Sequence, residues 1–382
     1  MRVEQETPKE NIQRERTQSL RGAAEPAPRS ADPAPRSADP APRSADPALR
    51  VCDSVLDAIG NTPLIRLSKF IPSPSPQCFV KFEAMNPGGS SKDRSAREML
   101  LAEERTRGLE PGAVVIISTS GNMGIGLAMM CAYKGYRLIA IVDPKISPVN
   151  EKILRIYGAK IVKVVERDQH AGYHLTRLKK AEELRNKYPD AIYIDQYDNQ
   201  WNAEAHYRTT GPEIARALDG KVAAIVIAAG TGGTVMGIAR YFKDHYPETH
   251  IWAVDEHGSL ALPANSIPQP RYLNGMGASQ RPANYDYPTL PKYLDKQHYV
   301  GAAESIQAAL DLARTEGILA GGSGGAVVTV MKNVMRHAYR SDQNVVGILP
   351  DHGSRYTADF FDEEWLSIRE LPVSLAVDGD EP

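Results

Sequence analysis

The chain has 382 residues, of which 24% are charged, with a formal net charge of −2 and a pI near 6.5. That balance gives no basic surplus for nucleic acid or an anionic membrane surface, and no apolar run approaches the roughly 20 residues that span a bilayer. The three cysteines, Cys52, Cys78 and Cys131, show neither metal-ligand spacing nor an even count for pairing, which points to a reducing, cytoplasmic setting.

Residues 1–50 read as an arm without a core. Pro26–Asp32, Pro33–Asp39 and Pro40–Asp46 each spell Pro-Ala-Pro-Arg-Ser-Ala-Asp, and a fourth copy decays to Pro47-Ala48-Leu49-Arg50. A seven-residue period invites a coiled coil, but two prolines per repeat forbid a helix. With almost no apolar surface to offset chain entropy, the arm is expected to be disordered. It lacks the apolar segment of a secretory signal, and its acidic residues make it a poor transit peptide.

Beyond the arm, about 330 residues are enough for a sizeable two-lobed core. Short apolar runs alternate with helical patterns: Ala113–Ile117, Leu138–Val142, Lys160–Val165, Ala191–Ile194, Val222–Ala228, Ile251–Val254 and Asn344–Leu349. This alternation predicts an α/β fold of mainly parallel sheets covered by helices.

Four loops carry candidate chemistry. Asn86-Pro87-Gly88-Gly89-Ser90-Ser91-Lys92 is a glycine-rich loop that delivers a lysine to a helix start, where the macrodipole disfavours a cation and favours a neutral, nucleophilic amine. A solvated loop lysine is the alternative, and in either case the loop is expected to be exposed. Ser118-Thr119-Ser120-Gly121-Asn122-Met123 joins a buried strand to a helix and suits a small carboxylate, or is an ordinary helix cap with spare hydroxyls. Gly230-Thr231-Gly232-Gly233-Thr234 follows another strand and makes a nest of N–H groups for a monophosphate. A dinucleotide fingerprint is its rival, with Asp255 ending the next strand, although the sixth position of that pattern is Val235 rather than glycine. Gly321-Gly322-Ser323-Gly324-Gly325 supplies an isolated hydroxyl, or only a tight turn. An amine, a carboxylate site, a phosphate cradle and a hydroxyl together match pyridoxal 5'-phosphate.

The order of motifs then becomes specific. Gly60-Asn61-Thr62-Pro63-Leu64, Ser91-Lys92-Asp93-Arg94, Thr119-Ser120-Gly121-Asn122, Thr209-Thr210-Gly211-Pro212-Glu213 and Gly230–Thr234 resemble the cysteine synthase and cystathionine β-synthase family of fold-type II pyridoxal phosphate enzymes, a tryptophan synthase β-like fold. The resemblance runs from Ile59 to Tyr356. It implies an N-terminal lobe over 51–200 with a movable segment at about 135–188, a C-terminal phosphate-binding lobe over 201–370, a tail at 371–382 and a homodimer. It also implies that Lys92 holds the cofactor as a Schiff base and moves the α-proton, that Asn122 bonds the ring oxygen, that Gly230, Thr231, Gly232, Gly233 and Thr234 hold the phosphate, and that Ser323 faces the pyridine nitrogen. Thr119, Ser120, Gly121, Met123 and Gln196 would hold the substrate carboxylate; no metal is called for.

A neutral hydroxyl at the ring nitrogen favours elimination of a β-leaving group to an aminoacrylate over transamination, and so β-replacement on O-phosphoserine or O-acetylserine. Met123, Asn199-Gln200-Trp201-Asn202, Gly277-Ala278-Ser279-Gln280-Arg281-Pro282 and the segment around Arg167, Gly172 and Arg177 depart from a sulfide-using cysteine synthase. They are similar to the branch that joins O-phosphoserine to L-glutamate on the way to 2,3-diaminopropionate, whereas the Lys92 and Glu213 motifs look like the sulfide branch. On this reading Met123, Gln200, Trp201 and Arg281 shape the second-substrate pocket. His352 and Arg355 are candidates for its entrance, and His206 is expected to pack.

Overall fold

In the computed structural model the described residues are 51–71, 75–119, 121–168, 172–263 and 270–376. The repeat arm at 1–50 lies outside them. In chain order the elements are β1 (Leu64–Arg66), β2 (Gln77–Phe82), α1 (Lys92–Arg107), β3 (Val114–Ser118), α2 (Asn122–Lys134), β4 (Arg137–Val142), α3 (Pro148–Ile156), β5 (Lys160–Lys163), α4 (His174–Lys187) and β6 (Ile192–Ile194). They continue with α5 (Gln200–Arg208), α6 (Thr210–Ala217), β7 (Ala224–Ala228), α7 (Gly233–His245), β8 (His250–Glu256), β9 (Lys296–Val300), α8 (Ala302–Glu316), α9 (Gly322–Val330) and β10 (Asn344–Leu349). Each expected strand is present within one to two residues of its apolar run.

Two sheets result. The smaller has four parallel strands in the order β5-β4-β3-β6, and the larger has six in the order β1-β2-β10-β7-β8-β9. Only β1 and β2 pair antiparallel; β2 then runs parallel to β10 in register Gln77 with Asn344 through Phe82 with Leu349. Strands buried on both faces read as unbroken apolar runs, and Val114–Ser118 and Leu138–Val142 are buried throughout. Chain order and sheet membership diverge at one place: β1 and β2, early in the sequence, belong to the larger sheet.

The family motifs at Thr62, Arg94 and Glu213 meet in one buried ion network. The Arg94 guanidinium donates to Glu83 (Nε to Oε2, 2.6 Å) and to Glu213 (Nη1 to Oε1, 2.6 Å), while Lys81 Nζ lies 2.7 Å from Glu213 Oε2. Thr62 Oγ1 donates to Glu83 Oε1 at 2.6 Å, and the N–H of Asn61, at φ +50°, donates to Glu213 Oε1 at 2.9 Å. Burial opposes the charge on Glu83, but Arg94, Lys81 and Thr62 outweigh it and hold the carboxyl down at about 2. The network ties the first turn of α1, which carries Lys92, to β2 and α6.

The lysine loop is not the exposed loop that its glycines suggest. Ser90 and Ser91 are fully buried because the loop threads beside the end of β10: Ser91 N–H donates to Pro350 O at 2.8 Å, and Ser90 bridges Asp351. Asp93 closes it by accepting from Gly88 N–H at 2.6 Å. Gly89 turns at φ +78°, where a side chain would crowd Arg355 Nη2.

Candidate active site

A cleft of about 250 Å³ opens at the carboxyl ends of strands from both sheets. From the smaller sheet come Thr119, Gly121 and Met123 after β3, Asp143 to Asn150 after β4, and Gln196 and Tyr197 after β6. From the larger come Gly230 and Thr231 after β7, Asn274 to Gly277 after β8, and Tyr356 after β10; Lys92 sits between the two groups. A narrower recess of about 20 Å³ continues from Lys92 under Gly230, Thr231, Gly232 and Thr234. Strand carboxyl ends are where α/β sheets place ligands.

Lys92 is partly buried at the first position of α1. Burial lowers its pKa, opposed by the negative charges of Asp351 and Glu83, so the dominant cause is desolvation rather than the helix dipole alone. Asn122 opens α2 with its amide bracketed: Nδ2 donates to Asp351 Oδ2 at 2.6 Å and Oδ1 accepts from Arg355 Nη1. Asp351 is fully buried and also accepts from the Tyr356 hydroxyl on Oδ2.

Ser323, in the first turn of α9, is fully buried, and its Oγ has no hydrogen-bond partner. Facing it is Gly275 at φ +88°, whose missing Cβ would stand 3.4 Å from Ser323 Oγ and 3.8 Å from Asp351 Oδ2. The third loop turns at Gly232, φ +95°, and presents the first-turn N–H groups of α7. Asn202 and Asn284 shape that turn from behind: Asn202 Nδ2 donates to Thr231 Oγ1 at 3.2 Å and Asn284 Nδ2 to Thr231 O at 2.7 Å.

Thr119 is buried with its backbone N–H engaged by Ile141 O, and its hydroxyl accepts from Gly121 N–H at 3.3 Å, which leaves the hydroxyl proton to donate. Met123 and Gln196 are both buried and line the cleft. Ser120 lies outside the described residues.

Three expectations are corrected. Arg281 is exposed and stacks on Tyr287 at 5.2 Å from the ring centre, away from the cleft lining. Trp201 is flanked by Arg105 and Arg208, 5.1 and 5.6 Å from its ring, and Gln200 is exposed, so neither lines the cleft. His352 binds Ser354 rather than the entrance, and Arg355 is buried behind Asn122, donating to Gly88 O. His206 packs as expected: burial pushes its pKa down to about 3, and its ring bonds the Thr210 and Thr234 hydroxyls at 2.8 and 3.1 Å. Asp255 is fully buried and accepts from the N–H groups of Glu256 and Leu262, which removes it as a ribose ligand and with it the dinucleotide reading.

Of the charged residues on the cleft wall, the sequence marks Arg177 as a departure from the sulfide-using pattern but not Asp143 or Lys145. Arg177 of α4 lies in the lining and pairs with Asp143 at 3.0 Å, and Lys145 follows on the same turn. Their signal was available: Asp143-Pro144-Lys145 is a charged turn directly after an apolar strand.

Residues 55–351 match the family model described as pyridoxal-phosphate dependent enzyme. The chain belongs to that family. Among its members, an N-(2-amino-2-carboxyethyl)-L-glutamate synthase from Ralstonia nicotianae is 40% identical over 314 residues, 82% of this chain and 91% of that protein. Among solved structures, an O-ureido-L-serine synthase superposes with a TM-score of 0.76 at 31% identity, covering 86% of this chain and 98% of the other. A hydrogen sulfide-producing enzyme from Fusobacterium nucleatum gives 0.74 at 32%, covering 80% and 100%.

The residues present fit the family's cofactor. The orphaned Ser323 hydroxyl, the side-chain-free face at Gly275 and the N–H-lined recess beneath Gly230–Thr234 are each incomplete within the protein alone. An aromatic ring with one nitrogen, one oxygen and a phosphate arm would complete all three.

Proposed function

We propose that the protein catalyses β-replacement on an O-activated L-serine, O-phosphoserine, with the amino group of L-glutamate as the incoming nucleophile and phosphate as the leaving group, a step that would supply a precursor of 2,3-diaminopropionate. The observation that carries this reading is the charged wall: Lys145 and the Arg177–Asp143 pair line the cleft on the side of the smaller sheet, where a phosphate or a dicarboxylate would meet the two cations by charge-assisted contact. A sulfide nucleophile needs neither. The named function of the Ralstonia relative supports the same choice.

In this scheme Lys92 holds the cofactor and moves the proton at the substrate α-carbon, for which its lowered pKa suits it. Bound there, pyridoxal phosphate would supply the electron-accepting ring that makes elimination and addition at the β-carbon feasible. Gly230 to Thr234 take the phosphate, Ser323 the ring nitrogen and Asn122 the ring oxygen. The Thr119 hydroxyl and the unpaired N–H groups at the start of α2 take the substrate carboxylate, with Gln196 beside them. Arg177, kept in place by Asp143, takes the anionic group of the activated serine. The segment from about 135 to 188, which carries Arg177 and Lys145, is the part that would close over bound substrate and exclude water.

The experiment is product analysis by mass spectrometry with O-phosphoserine or O-acetylserine, offered glutamate, aspartate, ammonia and sulfide in parallel. Dominant product from O-phosphoserine and glutamate is expected; cysteine as the dominant product would make the protein a cysteine synthase.

We also propose a cytoplasmic homodimer. The three cysteines are all free, and among the described residues no helix is long and apolar enough to cross a membrane. Light scattering on the purified protein tests the dimer.

A further inference from the structure

We propose that Asp351 is a positioning residue for the cofactor, which fixes the Asn122 amide in one orientation and places a buried negative charge beside Lys92. The inference rests on the family's cofactor and not on the identity of either amino-acid substrate.

An asparagine amide has a donor end and an acceptor end of nearly equal shape, and only its partners decide which way it points. Here the partners admit one answer. A guanidinium only donates, so Arg355 must face Oδ1, and the Asp351 oxygen that receives two donors must face Nδ2. One N–H of Asn122 is then committed to Asp351, and the second is left for the cofactor's ring oxygen. Without Asp351 the amide would have a fixed acceptor end but no anchor for its donor end.

The placement of Asp351 is built into three other segments. Its backbone bridges Ser90 of the lysine loop, and its carbonyl accepts from Gly321 N–H at 3.3 Å. A Cβ at Gly321 would collide with Asp351 Oδ1 and stand 2.7 Å from the Tyr356 ring. Oδ2 lies 3.8 Å from the Cβ position of Gly275, alongside Ser323 Oγ and the Tyr356 hydroxyl. The carboxylate thus borders the same space as the orphaned serine, and its own Oδ1 has no partner in the protein.

The groups that face Asp351 are Asn122 from α2, Lys92 from α1, Tyr356 and Arg355 from the turn after β10, and Ser323 from α9. Burial is the largest influence and leaves its pKa raised, although the Tyr356 and Asn122 hydrogen bonds and the Arg355 and Lys92 charges pull the other way. The two donors on Oδ2, with the Arg355 and Lys92 charges nearby, favour the ionised form. Such an anion favours the protonated form of a nitrogen on Lys92, a task that the neutral Ser323 does not perform.

The test uses the full-length protein with its cofactor and no substrate. Absorbance of the bound chromophore is titrated against pH, and the dissociation constant of pyridoxal phosphate is measured on stripped protein. Asp351→Asn keeps the shape and loses the charge. It should lower the chromophore's titration midpoint by about one pH unit and weaken cofactor binding by about tenfold, the scale of one lost charge. Tyr356→Phe should move the midpoint the same way, because an Asp351 with one donor fewer holds its charge less well. A folded Asp351→Asn protein with the natural midpoint and affinity overturns the proposal. So does a variant whose stripped form melts lower while its midpoint stays put, which would make Asp351 structural only. Because no substrate enters the measurement, a wrong choice of nucleophile or leaving group leaves this outcome unaffected.

Discussion

Glu213→Ala isolates what the family motifs do for the fold. Glu213 receives Lys81, two guanidinium nitrogens of Arg94 and the backbone N–H of Asn61 at 2.6 to 2.9 Å, with its side chain 11% exposed. Its removal strands a buried Lys81 and half of the Arg94 guanidinium, and breaking a buried pair from one side costs about 3–5 kcal/mol. With an unfolding entropy of about 2.1 cal/mol/K per residue over some 330 residues beyond the repeat arm, or ~0.7 kcal/mol/K, the melting temperature should fall by about 4–7 °C. The assay is a circular-dichroism melt of stripped protein, at several scan rates because a chain of this size unfolds irreversibly in many cases. A second variant separates stranded charge from lost packing: in Glu213→Met with Lys81→Met the unpaired ammonium is gone, and part of the loss should return. A single variant that melts within about 1 °C of the natural protein, or a double variant whose loss is the sum of the two singles, would refute the account.

Lys92→Ala should abolish turnover and leave the melt of the stripped protein nearly unchanged, since Lys92 is only partly buried and forms no ion pair with the Glu83–Arg94–Glu213 network; borohydride reduction and peptide mapping of the natural protein should place the cofactor on Lys92 and on no other lysine. Arg177→Ala should raise the KM of the anionic substrate by roughly 10- to 100-fold, about 1.5–3 kcal/mol for a charge-assisted contact, whereas Arg281→Ala, on the exposed face of Tyr287, should change it by less than about twofold. Glu83 is held down at about 2 against an ordinary 4.5, so its stabilising contribution is complete above about pH 4.5 and disappears as pH falls towards 2; Glu83→Gln should flatten the acid limb of a stability–pH curve, and an unchanged slope would count against the network. Ser323→Asp should lower the ratio of β-replacement to transamination by protonating the ring nitrogen, and an unchanged ratio would remove Ser323 from the ring.

What could be read from the sequence divides along a physical line. A turn at a strand end is local: Gly88 to Lys92, Thr119 to Met123, Gly230 to Thr234 and Gly321 to Gly325 are contiguous because such a turn is made by neighbours in the chain. Apolar runs fixed the strands for the same reason, with Asn344–Leu349 matching to the residue. Partners joined across the chain leave no such trace. Glu83 and Glu213 are 130 positions apart, and nothing in Thr-Thr-Gly-Pro-Glu says that its acid closes on Arg94. Arg281 breaks a familiar pattern in the sequence, but its side chain stacks on Tyr287. Arg177, which departs from the same pattern, does line the cleft, and nothing in the sequence separates the two arginines.

The glycines show both sides of that line at once. Gly321 looks like turn chemistry, yet its backbone is extended at φ −73°, which any residue adopts. Its missing side chain answers instead to Asp351, thirty residues later, whose carboxylate occupies the space. Gly275 is glycine for both reasons, a left-handed φ and an open face shared with Ser323 and Asp351. A glycine-rich loop in such a chain therefore records two different demands, the turn it makes and the group that approaches it, and only the first is visible from its neighbours. The second becomes testable through exchange: Gly321→Ala in an Asp351→Ala background should cost less stability than Gly321→Ala alone, and equal costs would show that the collision with Asp351 is not what keeps the position bare.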